Sequence, residues 1–140
     1  IASLPLSVQE KLTWSINKLS VCSGLTLILA LSYSAKWEIV EAVKEIAERV
    51  QRGVIQSSEI NCELVSSCLK TSEYPDPELL IRTSGECRIS NFLLWQIAYS
   101  ELYFTAKLWP DFRKNDLFEA IFNFQNRERR FGKTSQQLVS

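Results

Sequence analysis

PELLIRTSGECRISNFLLWQIAYSELYF, residues 77–104, opens on an apolar triplet, Leu79-Leu80-Ile81, of the length and character of a buried strand. Arg82 stands at its end. A polar loop follows, Thr83-Ser84-Gly85-Glu86-Cys87, and then Arg88. Ser90 is placed as the N-cap of a helix built on Phe92, Leu93, Leu94, Trp95, Ile97 and Ala98. After Glu101 comes a second short strand, Leu102-Tyr103-Phe104. Two guanidiniums, the backbone donors around Gly85 and a helix N-terminus thus meet near one strand end. Open α/β sheets bind ligands there. Helix N-termini favour anions, and arginine forks match phosphate oxygens in pairs. The residues read as a phosphate or diphosphate site with a carboxylate close behind it.

Outward from this stretch the chain alternates helix and strand signals. Val8, Leu12, Ile16 and Leu19 recur at helical spacing after Leu4-Pro5-Leu6-Ser7. The run Leu25–Leu31 is continuously apolar with one Thr, the pattern of a strand covered on both faces in a parallel sheet. Trp37, Val40, Val43, Ala47 and Val50 predict the inward face of the next helix, with Gly53 as its stop. Its other face, Glu38, Glu41, Lys44, Glu45, Glu48 and Arg49, reads as solvated surface with helical ion pairs. A shorter helix is expected over 57–70 with Leu64, Val65, Cys68 and Leu69 inward, then a stiff Tyr74-Pro75-Asp76-Pro77 connection. Asn115 is placed as the cap of a last helix carrying Leu117, Phe118, Ile121, Phe122 and Phe124. The order predicts an α/β fold, a mostly parallel sheet flanked by helices.

Composition removes several classes. Charges balance at 16 against 16, so no global field draws nucleic acid and anion binding rests on local geometry. No apolar run has the length of a membrane span. Without histidine, a Cys/His zinc site and a Ser/His/Asp hydrolase are both excluded. Cys22, Cys62, Cys68 and Cys87 lack metal-type spacing and read as free buried thiols of a cytosolic protein. The chain holds no methionine and starts at Ile1, which reads as the C-terminal part of a longer protein.

The segment IRTSGECRISNFLLWQIAYSELYF closely resembles the C-terminal signature of the cis-prenyltransferases of the undecaprenyl diphosphate synthase type. The likeness extends to Leu108-Trp109-Pro110-Asp111-Phe112, to Arg127–Gly132, and back to Gly24–Leu27 and Tyr33–Val40, nearly the whole chain. The resemblance implies that residues 1–140 are the C-terminal part of a single-domain isoprenyl transferase, with a loose tail at 133–140. It implies Z-type elongation: isopentenyl diphosphate condenses with an allylic diphosphate such as farnesyl diphosphate to make undecaprenyl diphosphate, the lipid carrier for bacterial cell-wall sugars. Substrate-binding roles pass by resemblance to Arg82, Arg88 and Ser90, which hold the isopentenyl diphosphate, and a Mg²⁺ role to Glu101. Arg130 and Gly132 match an Arg-x-Gly element that reaches the partner's site across a homodimer interface. A cytoplasmic location with transient membrane contact through the lipid product is also implied.

Some positions depart from the family pattern. Cys87 stands where bacterial members often carry histidine, and Ser34-Ala35-Lys36 where many relatives have Gly-Gly-Arg. Glu86 reads as the partner of an arginine that stiffens the loop. Tyr33 and Trp37 read as packing residues, and the apolar residues of 25–31 and 37–50 as core or as walls of a prenyl tunnel. Phe118, Phe122, Phe124 and Trp109 are expected to supply a dimer contact. The Asp-Gly-Asn-Gly-Arg loop carrying the family's catalytic aspartate has no match here, so the chain is expected to hold the isopentenyl diphosphate half of the site without the allylic half. The alternative is a non-catalytic partner subunit of a prenyltransferase complex. The presence of Arg82, Arg88 and Glu101 together weighs against it.

Overall fold

A computed structural model describes residues 4–127. Arg130 and Gly132, like the rest of the Arg-x-Gly element and the tail, lie outside the described residues. The chain divides between Tyr33 and Ser34 into two units.

In the first unit, α1 spans Leu6–Leu19. The expected spacing does form a helix, but none of its residues is buried. Lys18 lies in the last turn, where its charge complements the C-terminal carbonyls. The run Leu25–Leu31 is not a strand: no ladder includes it, and Leu25 is 94% exposed. The physical reason is that a strand exists only as a pair. Apolar character supplies a tendency to be covered, not the neighbouring backbone that would satisfy its N–H and C=O groups.

The second unit holds the sheet. Helix α2 spans Ala35–Gln51 and α3 spans Cys62–Ser67, preceded by a 3₁₀ turn at Ser57–Glu59. Strand β1, Leu79–Arg82, pairs in parallel with β2, Glu101–Phe104. A 3₁₀ turn at Trp109–Asp111 leads to α4, Lys114–Gln125. Helix α2 packs on α3, and α4 packs on β2. The buried apolar residues are Ala35, Ala42, Ile46, Leu69, Leu80 and Ala120 among the described residues.

Helix α2 ends as the glycine implies. Gly53 has φ +70; its amide donates to Val50 O and the amide of Val54 to Arg49 O, both at 2.9 Å. This is the Schellman arrangement, which glycine adopts without a Cβ penalty. Its buried face, however, is not the predicted one. Trp37, Val40 and Val43 are 54%, 50% and 56% exposed, while Ala35, Glu38, Ala42 and Ile46 are buried. Two stripes of this helix satisfy a 3.6-residue period, so periodicity alone cannot choose between them. The stripe with the two alanines is the one that goes inward. Along the outer face Lys44 pairs with Glu41 at 2.8 Å and Arg52 with Glu48 at 3.4 Å, as a solvated face should.

Three further expectations are corrected. The predicted helix over 92–98 is a run of turns. Ser90, Asn91 and Leu93 have φ of 55, 63 and 48, in the left-handed region that cannot feed a right-handed helix. Only one helical bond forms, Ile97 N to Leu93 O at 3.0 Å, before tighter turns take over at Ala98 and Ser100. Helix α4 begins at Lys114, and the Asp116 carboxylate, not Asn115, receives the Arg113 amide at 2.8 Å. The four cysteines are free, but Cys22, Cys62 and Cys87 are exposed and Cys68 is half-buried.

Candidate functional site

The carboxyl end of β1 is where the chain places its loop of guanidiniums. Arg82 closes the strand, half-buried, and its carbonyl receives the Thr105 amide at 2.9 Å. Its Nε is buried and has no hydrogen-bond partner among the described residues. A buried charged donor left open is costly, and such groups are rare unless something outside the chain completes them.

Beyond Arg82 the loop reverses through Ser84 and Gly85, with φ of 73 and 69. The Ser84 amide donates to Lys107 O at 2.7 Å and the Gly85 amide to Thr105 O at 2.9 Å. Both N–H groups therefore fasten the loop to the segment after β2. They are not free to cradle an anion, which corrects the expectation from sequence. A Cβ on Gly85 would meet only Ala106 Cα, at 3.8 Å, so the positive φ rather than crowding asks for glycine.

Arg88, with an exposed side chain, forms an ion pair with Glu86, as expected for that carboxylate. The pair is solvent-accessible and hence weakly held, so Arg88 can exchange Glu86 for another anion. Ser90 is exposed and left-handed, a loop residue rather than a helix cap. Cys87 is exposed and free, not a filler.

Glu101 sits elsewhere. In the parallel register it stands opposite Leu79, whereas Arg82 stands opposite Phe104. At ~3.3 Å per residue, their rows are about 10 Å apart along the strands. Glu101 instead pairs with Arg127 at 2.8 Å, and the same Nη1 donates to Leu102 O at 2.9 Å. That clamp ties the residue after α4 to the start of β2. Among the described residues there is no cluster of three metal-ligating side chains.

Two residues with structural weight escaped the sequence reading. Glu38, assigned to the solvated face, is 1% exposed. Its carboxylate accepts from the Lys70 amide at 2.8 Å and from Gln96 Nε2 at 3.1 Å. Gln96 Nε2 also donates to Thr71 Oγ1 at 2.8 Å, and Trp95 Nε1 to Ser66 Oγ at 2.9 Å. The second is Asn91. Its backbone carbonyl accepts from the Ala35 amide at 3.0 Å and its Oδ1 from the Lys36 amide at 2.9 Å. Its Nδ2 donates to Ser34 Oγ at 2.8 Å. The only sequence signal was polarity: Glu38 is one of four glutamates on α2, and Asn91 a polar residue at the expected start of a helix.

Comparison with known proteins places this architecture. The family model described as "Putative undecaprenyl diphosphate synthase" matches residues 1–132. An isoprenyl transferase of Porphyromonas gingivalis is 51% identical over 97% of the chain and 54% of that relative. A farnesyl-diphosphate-specific ditrans,polycis-undecaprenyl-diphosphate synthase of Aliivibrio fischeri is 47% identical over 94% of the chain and 51% of that relative. The crystal structure of lavandulyl diphosphate synthase from Lavandula x intermedia, in complex with dimethylallyl diphosphate, superposes with a TM-score of 0.86. It shares 36% identity, over 94% of the chain and 57% of the plant protein. The chain thus spans about half the length of the curated relatives it matches. From its strand-end arginine loop to its overall sequence, this chain belongs to the undecaprenyl diphosphate synthase family of prenyltransferases.

Proposed function

We propose that the chain supplies the isopentenyl diphosphate side of a cis-prenyl transfer site, in an enzyme that extends an allylic diphosphate such as farnesyl diphosphate toward undecaprenyl diphosphate. The observation that carries this reading is the buried Nε of Arg82, which has no partner among the described residues, at the carboxyl end of a parallel strand. A diphosphate oxygen is the complement of that donor. Arg88 joins it by exchanging Glu86 for the diphosphate, and the Ser90 hydroxyl donates a further hydrogen bond. Arg130 and Gly132 would act from the second copy of a homodimer. Phe118, Phe122 and Trp109, all well exposed, offer the apolar surface for that contact.

In this reading the residues do not react. They neutralise and orient the diphosphate so that the isopentenyl double bond faces the allylic carbon, and positioning with electrostatics accounts for the rate. Mg²⁺ does not fit a site made by this chain together with Arg82. Glu101 is the single acidic side chain assigned to it, lies at the other end of the ladder, and is neutralised by Arg127. A bacterial cytoplasmic enzyme with a membrane-seeking product completes the proposal.

The test is calorimetric titration of isopentenyl diphosphate into the chain and into Arg82→Ala and Arg88→Ala. Charge-assisted contacts of this kind are worth roughly 1.5–3 kcal/mol, so each variant is expected to bind about 10–150-fold more weakly. Unchanged affinity in both variants, with circular dichroism intact, would remove the site from this loop.

A further inference from the structure

We propose that Asn91 is a positioning residue that seats the Arg88–Ser90 turn on the N-terminus of α2. This rests on the diphosphate reading of that turn. A helix start leaves four amides without helical acceptors. In α2 the amides of Ala35, Lys36 and Trp37 are taken by Asn91 O, Asn91 Oδ1 and Ser34 Oγ, at 3.0, 2.9 and 3.3 Å. Ser34 Oγ is itself oriented by Asn91 Nδ2 at 2.8 Å. One residue from a loop 55 positions away thus completes the start of the helix. The N-terminus of α2 is consumed as an anchor and is not left as an anion site of its own.

The anchor has a cost that shows what it is for. Ser90 and Asn91 are consecutive left-handed residues, and Leu93 follows with φ 48. Such conformations cost on the order of 1–3 kcal/mol each for residues other than glycine, and persist only where the surroundings impose them. Asparagine tolerates this region better than most residues. The three bonds from Asn91 to the 34–36 segment impose it here; Ser90 adjoins the fixed point and Arg88 lies three residues before it. Ser34 and Asn91 are the side chains that matter, and neither would touch substrate.

The experiment compares the wild-type chain with Asn91→Ala, Asn91→Gly and Asn91→Asp. Asn91→Gly keeps the left-handed backbone and removes only the side-chain bonds. Asn91→Asp keeps an acceptor for the Lys36 amide. Hydrogen exchange at Ala35 and Lys36 is read with and without saturating isopentenyl diphosphate, alongside its Kd. In wild type the diphosphate is expected to slow exchange at both amides. In Asn91→Gly the Lys36 amide is expected to exchange at least about tenfold faster, to lose that response, and the Kd to rise about tenfold, the scale of one lost hydrogen bond. Asn91→Asp is expected to restore Lys36 protection. Faster exchange in Asn91→Gly with an unchanged Kd would overturn the positioning role. Unchanged exchange would overturn the anchor itself. Failure of the wild-type chain to bind the diphosphate would refute the site reading separately, with the exchange data still judging the anchor.

Discussion

Removing the Glu38 carboxylate is the sharpest perturbation of the second unit. The side chain is 1% exposed and is the shared acceptor of the Lys70 amide and Gln96 Nε2. In Glu38→Ala the Lys70 amide loses its acceptor inside the fold, about 1–3 kcal/mol, and Gln96 keeps only Thr71. Loss of the buried Cγ methylene adds about 0.8 kcal/mol. Together these predict a loss of roughly 2–4 kcal/mol, large for a single substitution. Glu38→Gln should behave differently. Its amide would meet the Gln96 amide donor to donor, but Gln96 Oε1 is buried with no partner among the described residues and becomes the acceptor if that side chain flips. A cost of about 1 kcal/mol is expected, that of a charge-assisted bond replaced by a neutral one. Urea titration followed by tryptophan fluorescence measures both. With a slope of about 2 kcal/mol/M, a loss of 3 kcal/mol moves the midpoint by about 1.5 M. A midpoint for Glu38→Ala within about 0.25 M of wild type would refute the reasoning, because that network would then contribute no more than an ordinary surface contact.

Two further outcomes follow from the ion pairs. The Lys107 ammonium, with help from the Arg113 amide, holds the Asp116 carboxyl below its ordinary value of 3.8. A depressed folded-state pKa adds stability above the unfolded value, and this is lost as pH falls through the folded one. Thermal melts of wild type below pH 3.8 should therefore drop more steeply than those of Asp116→Asn, and parallel curves would remove Asp116 from the acid response. Glu101→Gln is expected to lower stability by about 1 kcal/mol, since Arg127 keeps Leu102 O and the pair is partly solvated. An unshifted melting midpoint would show that the clamp between β2 and the end of α4 carries no stability.

Features with local causes were legible in the residues alone. Leu79–Ile81 and Leu102–Phe104 are strands because short apolar runs between polar loops have few other uses, and both lie in the parallel ladder. Gly53 ends its helix because no other residue adopts that φ so cheaply. The Arg82–Arg88 loop and the Glu86 pairing were legible for the same reason: partners two or six residues apart cannot be far away. The remaining features depend on partners distant in sequence. The inward face of α2 was chosen by Gln96, 58 residues from Glu38, and by Asn91, 57 residues from Ser34. The turns at 92–98 replaced a helix because Asn91 is held left-handed by those bonds, which no local propensity encodes. Glu101 lies close behind Arg82 in the chain but at the opposite end of the ladder, since a parallel connection must return to the start of the sheet before the next strand begins. The run Leu25–Leu31 carries the composition of a buried strand and remains unpaired, because hydrophobicity asks for cover while a strand requires a neighbour's backbone.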